Sequence, residues 1–188
     1  MSATAVAPAP VAIRTRLAAV TSPAPVMSRA QADRLTARQQ ELLDGLTELI
    51  ADGFAHLTMA DIAAELGCSL RTLYGIADGR DRLVLAACDR SLWATGRQAR
   101  AALEADPAAP PLELVRRYLH AASEAVSTTT QRFATDLAAV PGGPELQRAH
   151  ADYLVAITRE LLEIAVERGD VGPVDTAAVA RAMAGIST

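Results

Sequence analysis

Few side chains of this sequence have the type and spacing that reaction chemistry requires. The three histidines, His56, His120 and His150, are far apart, and nineteen residues separate the two cysteines, Cys68 and Cys88. The sequence contains no cysteine-x-x-cysteine pair, no nucleophile beside a base, no phosphate-binding glycine loop and no metal-ligand spacing. We therefore predict no catalytic activity, no metal and no cofactor, and the two isolated cysteines are typical of a reducing compartment such as the cytoplasm.

The most informative side chains lie in TMADIAAELGCSLRTLYGIA, residues 58–77. Thr58 can cap a short helix, and Asp61 suits the positive end of its dipole. Gly67 permits the left-handed backbone of a sharp turn, after which Ser69 can cap a second helix. Apolar residues are spaced to fill the wedge between these helices: Ile62, Leu66, Cys68, Leu73 and Ile76. The pattern predicts either a helix-turn-helix or an αα-corner buried in a larger helical domain.

The elements that position this segment are predicted to be helices. The chain has 188 residues, 51% of them hydrophobic, with 41 alanines and only 3% aromatic residues. Such a core suits closely packed helices and disfavours a β-sandwich or barrel. Apolar residues recur at helical spacing between proline- and glycine-rich breaks. They predict helices near 35–51, 59–66, 69–76, 80–104, 112–127, 130–140, 145–168 and 174–185.

The predicted architecture is all-α, with an amino-terminal helix-turn-helix domain over 33–79 and a larger helical bundle over 80–188. Residues 1–32 are rich in alanine and proline and contain three arginines but no acidic residue. We predict a flexible tail there. A transit peptide is an alternative, although the prolines would break its helix. No apolar run approaches the length of a membrane span.

Residues 42–90 closely resemble the DNA-binding domain of the TetR family of transcriptional regulators. The resemblance includes a helix ending in Gly53 and Phe54, the LTMADIAAELG block, the TLY of the following helix, and the pattern Arg80, Asp81, x, Leu83 at the start of the fourth. It implies a helix-turn-helix that binds a double-stranded DNA operator.

The resemblance also implies that the helix over 69–76 is a recognition helix in the major groove. Arg71 would present its guanidinium to guanine and read the sequence, and Leu70 would contact a thymine methyl group. Thr72 and Tyr74 would reach phosphates, while Arg80 stands where the family commonly has a phosphate-binding lysine. The remaining predicted DNA contacts are Thr58, Ser69 and Gly75.

The charge of the chain departs from what a DNA-binding protein usually has. The sum of 18 arginines and 22 acidic residues is −4, and residues 33–90 alone hold six arginines against ten acids. The family also usually has a bulky aromatic residue in place of Ala77 and often a polar or basic residue in place of Gly75. Non-specific DNA affinity is therefore expected to be weak, unless the arginine-bearing tail enters the minor groove.

Residues 91–188 match the family in being helical and of suitable length. In the family, this region encloses a small-molecule pocket and contributes its last two helices to a dimer, so we expect a homodimer and a small-molecule effector. The chain stops at Thr188, where family members commonly continue through a ninth helix, so it is either a fragment or has a reduced interface. Candidate pocket residues, which can equally be core residues, are Trp93, Tyr118, His120, Phe133 and Tyr153.

We predict a DNA-binding transcriptional regulator, a ligand-responsive cytoplasmic repressor. The alternative is a helical protein of the same fold that has lost sequence-specific DNA binding and acts through ligand or protein contacts. The acidic DNA-binding domain and Ala77 favour this alternative.

Overall fold

The protein is helical throughout the parts of the chain that the computed structural model describes, residues 10–106, 109–126 and 130–186. Eight helices match the predicted ones closely, which confirms the all-α fold, and α1 and α2 were not expected. The helices are α1 Pro10–Ala19, α2 Arg29–Ala32, α3 Ala37–Leu49, α4 Met59–Glu65, α5 Leu70–Tyr74, α6 Arg80–Glu104, α7 Pro111–Val126, α8 Gln131–Ala139, α9 Gly143–Glu167 and α10 Thr176–Ile186.

The helices form two compact units. The first, the helix-turn-helix unit, contains residues 24–93 and 130–148 among those described. The second, the bundle unit, contains residues 10–23, 94–126 and 149–186. This division differs from the predicted boundary between residues 79 and 80, because the start of α6 and the whole of α8 belong to the same unit as α3, α4 and α5.

The core of the helix-turn-helix unit is built from leucine, isoleucine and alanine, as the composition predicted. Ile62 of α4, Leu73 of α5 and Leu83 of α6 are completely buried. The two phenylalanines of the chain, Phe54 and Phe133, meet edge to face with their ring centroids 5.7 Å apart. Phe133 belongs to α8, so an aromatic contact joins α8 to the loop that precedes α4.

Helix α1 shows that the predicted flexible tail is wrong for much of its length. Ile13 and Leu17, one turn apart on α1, are buried in the bundle core. Pro10 does not break this helix because it is the first helical residue, where its missing N–H group has no intrahelical partner to lose. Residues 24–32 are also ordered: the N–H of Val26 donates to Asp89 at 2.8 Å. Residues 1–9 lie outside the described part of the chain.

Arg16 joins α1 to α9 through a network of ion pairs. Its guanidinium contacts the carboxylates of Glu160, Glu163 and Glu167, which lie along one face of α9. Glu163 also pairs with Arg159 at 2.7 Å. Partial burial opposes the charge on Arg16, but the hydrogen bonds and attraction of Glu167 and Glu160 outweigh this effect and raise the pKa of Arg16. The network is a long-range contact that no local pattern could have predicted.

Arg16→Gln is expected to lower the free energy of unfolding by up to about 1 kcal/mol at low salt, with a smaller loss as salt screens the glutamates. Urea unfolding at two salt concentrations measures the effect. Arg14→Gln is the matched control, because Arg14 forms no ion pair among the described residues and should change stability little. An equal effect of the two substitutions would contradict the network.

Candidate nucleic-acid interface

Helix α4 begins with a reciprocal set of hydrogen bonds, as the sequence predicted for Thr58. The N–H of Asp61 donates to Thr58 Oγ1 at 3.2 Å, while the Thr58 N–H and hydroxyl donate to Asp61 Oδ2 at 2.8 and 2.6 Å. These bonds from Thr58 stabilise the carboxylate and lower the pKa of Asp61. Because the Thr58 hydroxyl proton is directed at Asp61, a phosphate contact through this group requires the hydroxyl to rotate.

A sharp turn joins α4 to α5. Gly67 has a φ of 60°, its N–H donates to the carbonyl of Ala64 at 3.2 Å, and the N–H of Cys68 donates to the carbonyl of Ala63 at 2.9 Å. This pair of bonds is the Schellman arrangement that ends a helix at glycine. The predicted left-handed glycine is thereby confirmed, and the turn delivers the chain to Ser69 at the start of α5.

Gly67→Ala is expected to destabilise the protein by about 1–2 kcal/mol, because a β-carbon is unfavourable in the left-handed conformation. The space around Gly67 is open, so this cost comes from the backbone alone. Gly96→Ala is the control: Gly96 lies inside α6 with free space beside it, and there alanine should stabilise by about 0.5–1 kcal/mol. Thermal unfolding of both variants measures the difference. Melting temperatures that both rise or both fall relative to the wild type would contradict this interpretation.

Helix α5 has one buried face and one exposed face. Ser69 caps it by accepting from the N–H of Thr72 at 3.1 Å, and the two hydroxyls lie 2.9 Å apart. Leu73 is completely buried, whereas Leu70 is 43% and Tyr74 56% exposed. Arg71 is exposed, and its guanidinium takes no part in the hydrogen bonds or ion pairs among the described residues. The side chains predicted to contact bases therefore lie together on the outer face.

Gly75 ends α5 with an ordinary helical φ of −74°. A β-carbon at this position would lie 3.0 Å from Nε2 of Gln39. Glycine thus allows the side chain of Gln39 in α3 to approach the end of α5 closely. This role of Gln39 was not predicted, and a single sequence carries no signal for it.

The guanidinium of Arg80, which was predicted to contact phosphate, bonds to groups of the protein itself. Its guanidinium donates to the backbone carbonyls of Phe54 and Leu57 and pairs with Asp81 at 3.0 Å. It also lies 5.6 Å from the centre of the Phe54 ring. Its donors are therefore directed at the loop before α4.

Ion pairs occupy most of the arginines in the helix-turn-helix region. Arg38 pairs with Glu41, Arg82 with Asp78 and Arg90 with Asp44. Among the six arginines of residues 33–90, only Arg34 and Arg71 form no ion pair with the described residues. This pairing reduces the positive charge available for phosphates still further.

The predicted ligand residues are not brought together in one described site. Tyr118 and Tyr153 are buried in the bundle core, where the Tyr153 hydroxyl accepts from Arg100 at 2.8 Å and burial raises the pKa of Tyr118. Phe133 packs on Phe54 in the other unit, and His120 is exposed. Two clefts lie in the bundle unit, with volumes of about 320 and 370 Å³, and none of the five residues, Trp93 included, lines them.

The described residues contain no cluster of histidine, cysteine and acidic side chains that could hold a metal ion. Burial raises the pKa of Cys88 to about 12, so its thiol stays protonated and unreactive at neutral pH. None of the described helices is both long enough and apolar enough to span a bilayer.

A three-helix unit with capped helices, whose third helix, here α5, has an exposed outer face, together with a helical bundle is the fold of TetR-family transcriptional regulators. The chain is similar to the TetR family transcriptional regulator PfmR from Thermus thermophilus, with a TM-score of 0.56 and 22% sequence identity over 81% of this chain and 83% of that chain. The predicted fold is thereby confirmed. No protein-family model and no curated protein matches the sequence.

Proposed function

We propose that the protein is a DNA-binding transcriptional regulator that reads its operator with α5. The observation that carries the proposal is the arrangement of this helix: Leu73 anchors it in the core while Leu70 and Arg71 extend from its first turn. In a helix-turn-helix, residues at the start of the second helix contact the base edges.

Arg71 is the proposed sequence-reading residue, because a guanidinium that is not held by a carboxylate can donate two bonds to guanine. Leu70 suits a thymine methyl group, and Tyr74 can donate its hydroxyl to a phosphate. Thr72 and Ser69 bond to each other, and together with Thr58 and Gly75 they would lie near the DNA backbone.

Specific binding requires more than one helix-turn-helix unit, because the acidic surface offers little non-specific attraction. We infer a homodimer whose two units contact successive major grooves, about 34 Å apart. Repression, a cytoplasmic location and response to an effector belong to the same proposal. The cleft of about 320 Å³ is a better place for an effector than the buried tyrosines. Its lining includes the apolar residues Ile13, Leu17 and Leu114 and the cations Arg14 and Arg100.

A gel-shift assay with the DNA that flanks the coding region tests the proposal. Saturable binding that survives an excess of scrambled competitor is expected, with a shallow dependence on salt because few cations contact phosphate. Binding to both DNAs with equal affinity, or no binding at low salt, would refute sequence-specific regulation. A thermal-shift screen, followed by DNA titration with any stabilising compound, tests the effector.

The second candidate function is a protein-binding module of the same fold. Leu70 and Tyr74 are large and exposed. Most arginines of residues 33–90 form ion pairs and are not available to bind phosphate. These features suit a protein partner as well as DNA. Failure of the gel shift would favour this function, and the partner would then be sought with Tyr74→Ala as the negative control.

A further inference from the structure

The loop between α3 and α4, residues 51–57, is held by a carboxylate from α8. Oδ2 of Asp136 accepts the N–H of Phe54 at 2.5 Å and the N–H of Ala55 at 2.8 Å. A charged acceptor forms stronger hydrogen bonds than a neutral one. Asp136 and Phe54 are 82 positions apart in the chain, so this contact exists only in the folded unit.

Arg80 holds the same loop by its carbonyl groups. Nη2 of Arg80 donates to the carbonyl of Phe54 at 2.6 Å, and Nε donates to the carbonyl of Leu57, the residue before the α4 cap. The backbone of Phe54 therefore bonds to an anion through its N–H and to a cation through its carbonyl. We call Asp136 and Arg80 together the loop clamp.

Other contacts from the α8 end bring it close to this loop. The Thr130 hydroxyl donates to the carbonyl of Ala51 at 3.3 Å and accepts the N–H of Phe133, which caps α8. Gly53 has a φ of 106°, and a β-carbon there would lie 2.6 Å from Cγ of Arg132. Glycine is thus required both by the backbone turn and by the closeness of Arg132.

We propose that Asp136 and Arg80 are positioning residues that fix the start of α4 and thereby the place of α5 on DNA. Helix α5 has only five residues and cannot be stable alone, so its position depends on α4 and on the turn at Gly67. The position of α4 depends in turn on the loop that the clamp holds. The DNA part of this inference rests on the proposed function.

Asp136→Ala tests the clamp against a simple effect of charge. Loss of a carboxylate makes the protein less negative, so charge alone would strengthen DNA binding. Positioning predicts the opposite, a loss of specific affinity of about tenfold at constant salt. Glu48→Ala is the matched control, because Glu48 is an exposed acid of the same unit and should only gain affinity slightly. Asp136→Asn, which keeps one acceptor oxygen, should lose less than Asp136→Ala.

Arg80→Lys separates positioning from phosphate binding. Lysine keeps the positive charge but lacks the forked donors that reach two carbonyls. We expect Arg80→Lys to lose almost as much DNA affinity as Arg80→Ala. The dependence of affinity on salt concentration should be unchanged in both variants. A phosphate contact would instead be preserved by lysine, and Arg80→Ala would reduce the salt slope by about one.

Hydrogen exchange provides a readout that does not depend on DNA. Asp136→Ala should accelerate exchange of the Phe54 and Ala55 amides and of the Ile62 amide, which forms the first hydrogen bond of α4. Unchanged exchange at these amides would overturn the clamp. If these amides exchange faster in Asp136→Ala but its DNA affinity equals that of the Glu48→Ala control, the positioning role of Asp136 is overturned. If the wild-type protein binds no DNA, the proposed function fails, and exchange of Ile62 alone decides whether the clamp fixes α4.

Discussion

Leu73→Ala is expected to lower the free energy of unfolding by about 2–5 kcal/mol, the cost of deleting a completely buried leucine from a packed core. Leu73 is 0% exposed and is the residue that anchors α5. Because α5 is so short, the loss of Leu73 should also release α5 from α4 and abolish the proposed specific DNA binding. Urea unfolding followed by the gel shift measures both effects.

Leu70→Ala provides the control for this change on the same helix. Leu70 is 43% exposed, so its truncation should change stability by less than about 0.5 kcal/mol. It should nevertheless weaken DNA binding if it touches a thymine methyl group. A large loss of stability in Leu70→Ala, or none in Leu73→Ala, would show that α5 presents a different face to the core.

Arg71→Ala is expected to reduce discrimination between operator and scrambled DNA by about 1–3 kcal/mol, because the proposed bidentate contact to a base would be lost. Stability should not change, since Arg71 is exposed and makes no ion pair among the described residues. Competitive DNA titrations and urea unfolding measure the two quantities.

The control for Arg71 is Arg34→Ala. Arg34 is exposed in the same unit and likewise forms no ion pair with a described residue, but it lies outside α4 and α5. Its removal should weaken binding to all DNA slightly and leave discrimination intact. If Arg71→Ala keeps the wild-type ratio of affinities for specific and scrambled DNA, Arg71 is not the residue that reads the operator.

The assignment of Arg80 changes the expected electrostatics of DNA binding. With its guanidinium bonded to the loop and to Asp81, few cations remain for phosphate contacts. Affinity would therefore come from base contacts and from the geometry of a dimer, and binding should depend on salt only weakly.

The contribution of α8 to the helix-turn-helix unit also bears on the proposed response to an effector. Asp136 and Phe133 hold the loop before α4, so a displacement of α8 would alter the start of α4 directly. A ligand shifts such an equilibrium only by its differential affinity for the two states. The variants at Asp136 therefore also indicate how far a change at α8 alters DNA binding.

The sequence alone determined the features that depend on contacts within one or two turns. The caps at Thr58 and Ser69, the left-handed Gly67 and the burial of Ile62 and Leu73 all follow from residue type and spacing. The caps and the glycine turn are local preferences that neighbours only a few residues away satisfy. The burial of Ile62 and Leu73 was predicted from the spacing of apolar residues. They were sufficient to predict the helices and the helix-turn-helix.

The tertiary structure alone decided which distant groups meet. Arg16 and Glu160 are 144 positions apart and Asp136 and Phe54 are 82 apart, so only the packing of helices brings each pair together. The same packing directed Arg80 towards the loop and placed α1 against the bundle core, where Ile13 and Leu17 become a buried helix face. An exposed arginine and a partnered one have the same local sequence signal, because a charged side chain finds its partner through the fold.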